Sequence, residues 1–169
     1  MIHYTNIAPT LIKTFLFSLP LQLEDGSITH ESGKIKRNSK VSFIDNIETR
    51  REVFNIINYT TPINLIDIEP LQYSEYSVGD EYGWHRDVHD EPYSNGLVRK
   101  VSFSTILNDD FWGGEFDIET KNPMFEKRYQ TFESEEYNTI IFPSHMWHRV
   151  RPVKSGIRTS IVGWLLGHP

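Results

Sequence analysis

From Thr60 onward the chain breaks into short runs rich in β-branched and aromatic residues, each closed by Gly, Pro, Asn or Asp. Runs of that length cannot form long helices, so the second part of the chain is confined to an antiparallel sandwich or barrel. The runs lie near Leu65 to Tyr76, Glu81 to Asp87, Val98 to Leu107, Glu115 to Ile118, Asn138 to Phe142 and His148 to Val153, with Arg158 to Leu166 as a long last strand. Gly113-Gly114 reads as a tight turn, and the polar excursion from Glu119 to Tyr137 has room for one further strand.

Before Thr60 the pattern is helical. Ile7, Leu11, Ile12, Phe15, Leu16 and Leu19 recur at helical spacing, with Pro9 in a first turn and Pro20 as a stop. Leu21 to Lys40 is polar and carries Lys34, Lys36, Arg37 and Lys40, the composition of a solvated loop. A capping box of Asp45 with Glu48 then opens a second helix to Asn58, with an apolar stripe of Ile47, Val53, Phe54 and Ile57. The expected fold is mainly β with N-terminal helices, a double-stranded β-helix (jelly roll, cupin-like). It is expected as one domain over 1–169, with helical support over 1–60 and the jelly-roll core over 61–169.

Composition narrows the chemistry. The chain of 169 residues has no cysteine, which excludes disulfides and thiolate metal sites and leaves His and oxygen donors for any metal. A formal net charge of −6 offers no footprint for nucleic acid. No apolar run approaches the ~20 residues of a membrane span, and Ile7 to Leu19 lacks the basic flank and cleavage site of a signal peptide. A soluble, cytoplasmic protein with a small-molecule or peptide substrate is the expectation.

Within Trp84-His85-Arg86-Asp87, a His and a carboxylate two residues apart on an extended segment share a face and could hold one metal ion. The third ligand lies elsewhere, at His145 or His148. On an extended segment His148, Val150 and Pro152 face inward while Arg149 and Arg151 point to solvent, so His148 is preferred; His145 sits beside the Pro143-Ser144 turn. His89 shares parity with His85 and Asp87, but the Asp90-Glu91-Pro92 turn ends that strand. Two His and one carboxylate form the facial triad of non-haem Fe(II) oxygenases, which leaves the opposite metal face open. Arg158, Ser160 and Trp164 share a face of the last strand, and a guanidinium beside a hydroxyl is suited to gripping a carboxylate. Parity also turns Ser102, Ser104 and Ile106 toward the pocket.

Several segments together resemble the Fe(II)/2-oxoglutarate-dependent dioxygenases, most closely the prolyl-4-hydroxylase-like branch with its compact bacterial and phage members. They are Tyr76-Ser77-Val78-Gly79, Tyr82 to Asp87, Leu107-Asn108-Asp109-Asp110 with Gly113-Gly114-Glu115, Phe142-Pro143-Ser144, and His148 to Val153 with Gly156 and Arg158. The resemblance covers roughly residues 63 to 167. It implies His85, Asp87 and His148 as iron ligands and Arg158 on the remote carboxylate of 2-oxoglutarate. It also implies Tyr76 and Ser160 as further cosubstrate donors and Trp164 packing at the site. Fe(II), 2-oxoglutarate, O2 and ascorbate as reductant follow from it, with succinate and CO2 as products of a hydroxylase. Two departures stand out: many prolyl hydroxylases of animals, plants and algae carry Lys where this chain has Arg158, and some relatives place Tyr near Ile106. The rival readings are a cupin-like metal-binding protein and an oxygenase of the nucleic-acid-repair type.

Overall fold

The structure, a computed structural model, describes residues 2–6, 21–26, 36–120, 128–133 and 135–169. The first expected helix lies outside them. The second is α1 (Ile47–Thr60), which starts one residue later than the capping-box reading. Asn46, not Asp45, is its N-cap: the Asn46 Oδ1 accepts from the Thr49 backbone N–H at 2.9 Å. Asp45 instead accepts from Arg50 Nη1 at 2.7 Å. The buried stripe is accordingly Thr49, Val53 and Ile57, while Ile47, in the first turn, is 61% exposed.

Strands β1 (His3–Asn6), β2 (Glu24–Asp25) and β3 (Lys40–Ile44) come from the region where the pattern suggested only helices and a loop. β3 was hidden because its five residues follow directly on a cationic polar stretch. Next come β4 (Asp67–Ile68) and β5 (Leu71–Tyr76), expected as one strand but parted at Pro70, which has no N–H to give a ladder. β6 (Tyr82–His85), β7 (Val98–Ile106), β8 (Trp112–Gly113), β9 (Phe116–Glu119) and β10 (Tyr129–Phe132) follow. The last four are β11 (Asn138–Pro143), β12 (His148–Val150), β13 (Val153–Ser155) and β14 (Arg158–Gly167).

The major sheet runs β1-β11-β7-β14-β5-β3-β2, with β4 also paired to β14. The minor sheet runs β10-β9-β12-β6, and β8 pairs separately with β13. All pairings in the major and minor sheets are antiparallel, and the sheets remain open. Alternation gives the major sheet two different faces. Ile44, Leu71, Val101, Phe103, Ile141, Ile161 and Leu165 pack with Val53 and Ile57 of α1. Tyr76, Ile140 and Phe142 face the other way and pack with Phe116, Ile118, Phe132 and Val150 of the minor sheet. Gly163 lies on the helix side, where a Cβ would sit 2.4 Å from the Phe103 ring. The space between the sheets therefore belongs to the even-numbered residues of β7 and β14.

Candidate metal centre

β12 lies antiparallel to β6 with His148 opposite His85, and the register slips between His148 and Val150. Such a bulge re-aims the side chain beside it. The two imidazoles converge, ring centroids 4.0 Å apart. Asp87 was expected on the same strand as His85, but β6 ends at His85. The carboxylate is brought in from beyond the strand end, where the Asp87 N–H donates to the Ser144 carbonyl at 3.0 Å.

His85, Asp87 and His148 are 4%, 8% and 4% exposed, and each offers a ligand atom within 4.8 Å of the others. The Nδ1 of His85 lies 2.8 Å from the Gly83 carbonyl and that of His148 lies 3.0 Å from the Met146 carbonyl. Carbonyls only accept, so both Nδ1 atoms carry the proton and both Nε2 lone pairs are available. Those Nε2 atoms point at Asp87, at 3.7 and 3.4 Å. Burial, reinforced by His148, lowers the His85 pKa to about 3, so the ring is neutral and ready to ligate at neutral pH. Burial opposes ionisation of Asp87, but the two imidazoles, the Ser102 hydroxyl and Arg99 outweigh it and hold the carboxyl below its usual range. Two buried imidazoles and one buried carboxylate suit a divalent ion such as Fe(II).

Arg158 starts β14 opposite Tyr76 and is 1% exposed. Its Nε donates to the Gly114 carbonyl at 3.0 Å and its Nη1 to Ser160 Oγ at 3.1 Å, while Nη2 is buried with no hydrogen-bond partner. Burial lowers its pKa to about 10, only partly offset by Tyr76. A buried guanidinium with an unmatched N–H aimed between the sheets calls for an anion. Gly114 makes room for it: its φ is +65°, and a Cβ there would lie 2.7 Å from Arg158 Cδ.

One cavity of about 120 Å³ joins these groups, lined by the three candidate ligands and by Arg158, Ser160, Trp164 and Tyr76. Of the other residues singled out from the sequence, the alternatives His145 and His89 line a separate cavity with Tyr93 and Lys100, and Ile106 is buried without lining the cavity of Arg158. Ser104 lines the same cavity, and Ser102, on its face, bonds Ser144 at 2.9 Å.

Pattern reading missed two supporting groups. Arg99 is gripped by Glu69 through its Nε and Nη2, both at 2.6 Å, and lies 3.9 Å over the Trp164 ring. Counting alternate residues along β7 would place Arg99 with Val101 and Phe103, but a register shift opposite Leu165 and Leu166 turns it to the cavity side. The second is Asp117. Arg149 and Arg151 do not point freely to solvent; both reach this fully buried carboxylate, at 2.7 and 2.8 Å.

The family model of the 2OG-Fe(II) oxygenase superfamily matches residues 71–166. A PKHD-type hydroxylase of Synechococcus sp. (strain CC9902) is 34% identical over 100 residues, 58% of this chain and 41% of that relative. The match therefore spans about two fifths of that relative's length. Among solved structures, a Pseudomonas putida prolyl-4-hydroxylase has a TM-score of 0.70 at 18% identity, covering 97% of this chain and 91% of that one. A Trichoplax adhaerens prolyl hydroxylase, in complex with a hypoxia inducible factor oxygen degradation domain peptide fragment, has a TM-score of 0.71 at 18% identity, covering 97% and 82%. Those two likenesses carry the double-stranded β-helix fold. The family model covers more than half of the sequence and includes all three candidate ligands and Arg158, so this chain belongs to the 2OG-Fe(II) oxygenase superfamily.

Proposed function

We propose that the protein is an Fe(II)- and 2-oxoglutarate-dependent dioxygenase that hydroxylates a prolyl residue, an amino acid or a small metabolite, with succinate and CO2 as coproducts. The observation that carries the reading is the pairing of the buried His85-Asp87-His148 cluster with the unmatched Nη2 of Arg158 across one cavity. Membership of the superfamily and the PKHD-type hydroxylase relatives support it.

In this reading His85, Asp87 and His148 hold the iron, which supplies oxygen activation when bound. Both imidazoles are fixed in the ligating tautomer by main-chain carbonyls, and burial keeps His85 from carrying a second proton at neutral pH. Arg158 takes the carboxylate of 2-oxoglutarate remote from the metal, with its fork already aligned by Gly114 and Ser160. Tyr76 lies alongside, its ring 5.5 Å from the guanidinium carbon. The Trp164 Nε1, buried and without a partner, is a further donor toward the cavity. The apolar walls from Phe116, Phe142 and Val150 exclude water from the same space. Ascorbate serves as the reductant in this scheme.

The test is an anaerobic titration of the purified chain with Fe(II) and then 2-oxoglutarate, followed by succinate assay in air. A visible charge-transfer band that needs both additions, and succinate formed in their joint presence, are expected. Metal binding without any response to 2-oxoglutarate would instead favour a metal-binding jelly roll lacking oxygenase activity.

A further inference from the structure

The outer face of the minor sheet carries a polar construction that the cavity does not use. Asp117 is 0% exposed although it lies on the side away from the cavity. It accepts from Arg149 Nε at 2.7 Å, from Arg151 Nε and Nη2 at 2.8 and 2.9 Å, and from Thr131 Oγ1 at 2.7 Å. Burial favours the neutral acid, but the hydrogen bonds from Arg151, Arg149 and Thr131 hold its carboxyl below the usual range.

Arg149 does more than pair with Asp117. Its guanidinium lies 4.8 Å from the Trp84 ring and 5.3 Å from the Tyr129 ring. Arg151 lies 5.6 Å from Tyr129. Of these two arginines it is Arg149 that spans, by its side chain, from β12 to β6, the strands on which the two imidazoles stand. It immediately follows His148, and Trp84 immediately precedes His85, so each contact on the outer face sits directly behind a candidate ligand. This is also where the β12 ladder is irregular, between His148 and Val150 opposite His85 and Tyr82. A bulged strand has fewer ladder bonds to fix its position, and the outer clamp supplies a second constraint there.

We propose that Arg149, anchored by Asp117 and laid on Trp84, is a positioning residue that sets the separation of β6 and β12 and so the convergence of His85 and His148 on the metal. This rests on the reading of His85, Asp87 and His148 as ligands. Groups behind the ligands of a metal site commonly change affinity by about 10- to 100-fold when removed. Arg151 is the internal control, since it gives Asp117 two hydrogen bonds to one from Arg149 but does not reach Trp84.

The experiment measures Co(II) affinity of the metal-free protein from the visible absorption of the bound ion, together with urea unfolding midpoints, for Arg149→Gln, Arg151→Gln and Trp84→Leu. Expected is a Co(II) affinity lowered about tenfold, with an altered visible spectrum, in Arg149→Gln and Trp84→Leu, against less than about twofold in Arg151→Gln. The unfolding midpoint should fall most in Arg151→Gln, so the two rankings run in opposite order. Arg149→Lys, which keeps the cation near the indole, should recover part of the affinity. If Arg149→Gln does not fold, Trp84→Leu decides, because it leaves the Asp117 pairs intact. Affinities that follow the stability ranking, or that stay unchanged in both the Arg149 and Trp84 variants, overturn the positioning role. Absence of Co(II) binding by the unsubstituted protein would overturn the ligand assignment, and the positioning role with it.

Discussion

Replacing Arg158 by Met should weaken cosubstrate binding without weakening the metal-free protein. In that state Arg158 is a buried cation with no carboxylate within ion-pairing distance among the described residues, and burial lowers its pKa from the usual guanidinium range to about 10. At ~1.4 kcal/mol per tenfold, that displacement corresponds to a folding cost of roughly 3 kcal/mol. The sign follows from linkage: a cation whose folded pKa is depressed destabilises the fold at every pH below that pKa, so the cost is complete in the neutral range. Methionine removes the charge while filling much of the same volume. It also leaves the Gly114 carbonyl and the Ser160 hydroxyl without their donor, which costs about 1–2 kcal/mol. The balance is a metal-free variant as stable as the parent or more stable by about 1–2 kcal/mol, a melting temperature unchanged or raised by a few degrees. Cosubstrate binding moves the opposite way. Losing one partner of a buried charge pair costs ~2–5 kcal/mol, about 30-fold to several thousand-fold in affinity. With Mn(II) and 2-oxoglutarate at about 100 times its dissociation constant, the parent gains about 2.7 kcal/mol, a rise of about 5–10 °C. The variant gains under about 1 kcal/mol at the same concentration. Scanning calorimetry with and without ligand measures both effects. A metal-free variant destabilised like an ordinary core truncation, yet still stabilised by 2-oxoglutarate like the parent, would refute the reasoning on both counts.

Other outcomes follow from the same site. His85→Ala, Asp87→Ala and His148→Ala should each abolish Fe(II) binding measured by equilibrium dialysis, whereas His145→Ala, altering an exposed ring outside the cluster, should retain it. The metal-free protein should lose stability as pH falls from 6.5 toward 3: His85 resists protonation in the fold, so the unfolded chain takes up the proton first. Asp87, also depressed, adds to the loss at the acid end. Urea midpoints across that range should fall, and His85→Gln should flatten the slope. Gly114→Ala places a methyl 2.7 Å from Arg158 Cδ at a φ of +65°, so 2-oxoglutarate affinity by calorimetry should drop while Co(II) affinity holds.

Much of the site was legible because it is written in alternation. His148 with Val150, and Arg158 with Ser160 and Trp164, lie on the faces that a two-residue period assigns them, and the major sheet keeps that period through β14 up to Leu165. What was hidden breaks the period or ignores it. Arg99 changes face at a register shift, and Asp87 lies past the end of its strand, held by a hydrogen bond to Ser144. Asp117 obeys the period, but an outward-facing Asp reads as solvated until two arginines 32 and 34 positions away are seen to cover it. β3 and the Asn46 cap were lost for a local reason, since neighbouring residues of the same character offered equally good boundaries.

The two-faced character of β14 also limits how this protein can change over generations. Ile161, Gly163 and Leu165 serve the packing against α1, while Arg158, Ser160 and Trp164 serve the cavity. Point substitutions can alter one set and spare the other, so durability and chemistry are separately tunable along a single strand. Gain or loss of one residue within it would exchange the two sets, placing the guanidinium in the oily layer and an apolar side chain in the cavity. Length variation is therefore shut out of this strand and pushed into its connections.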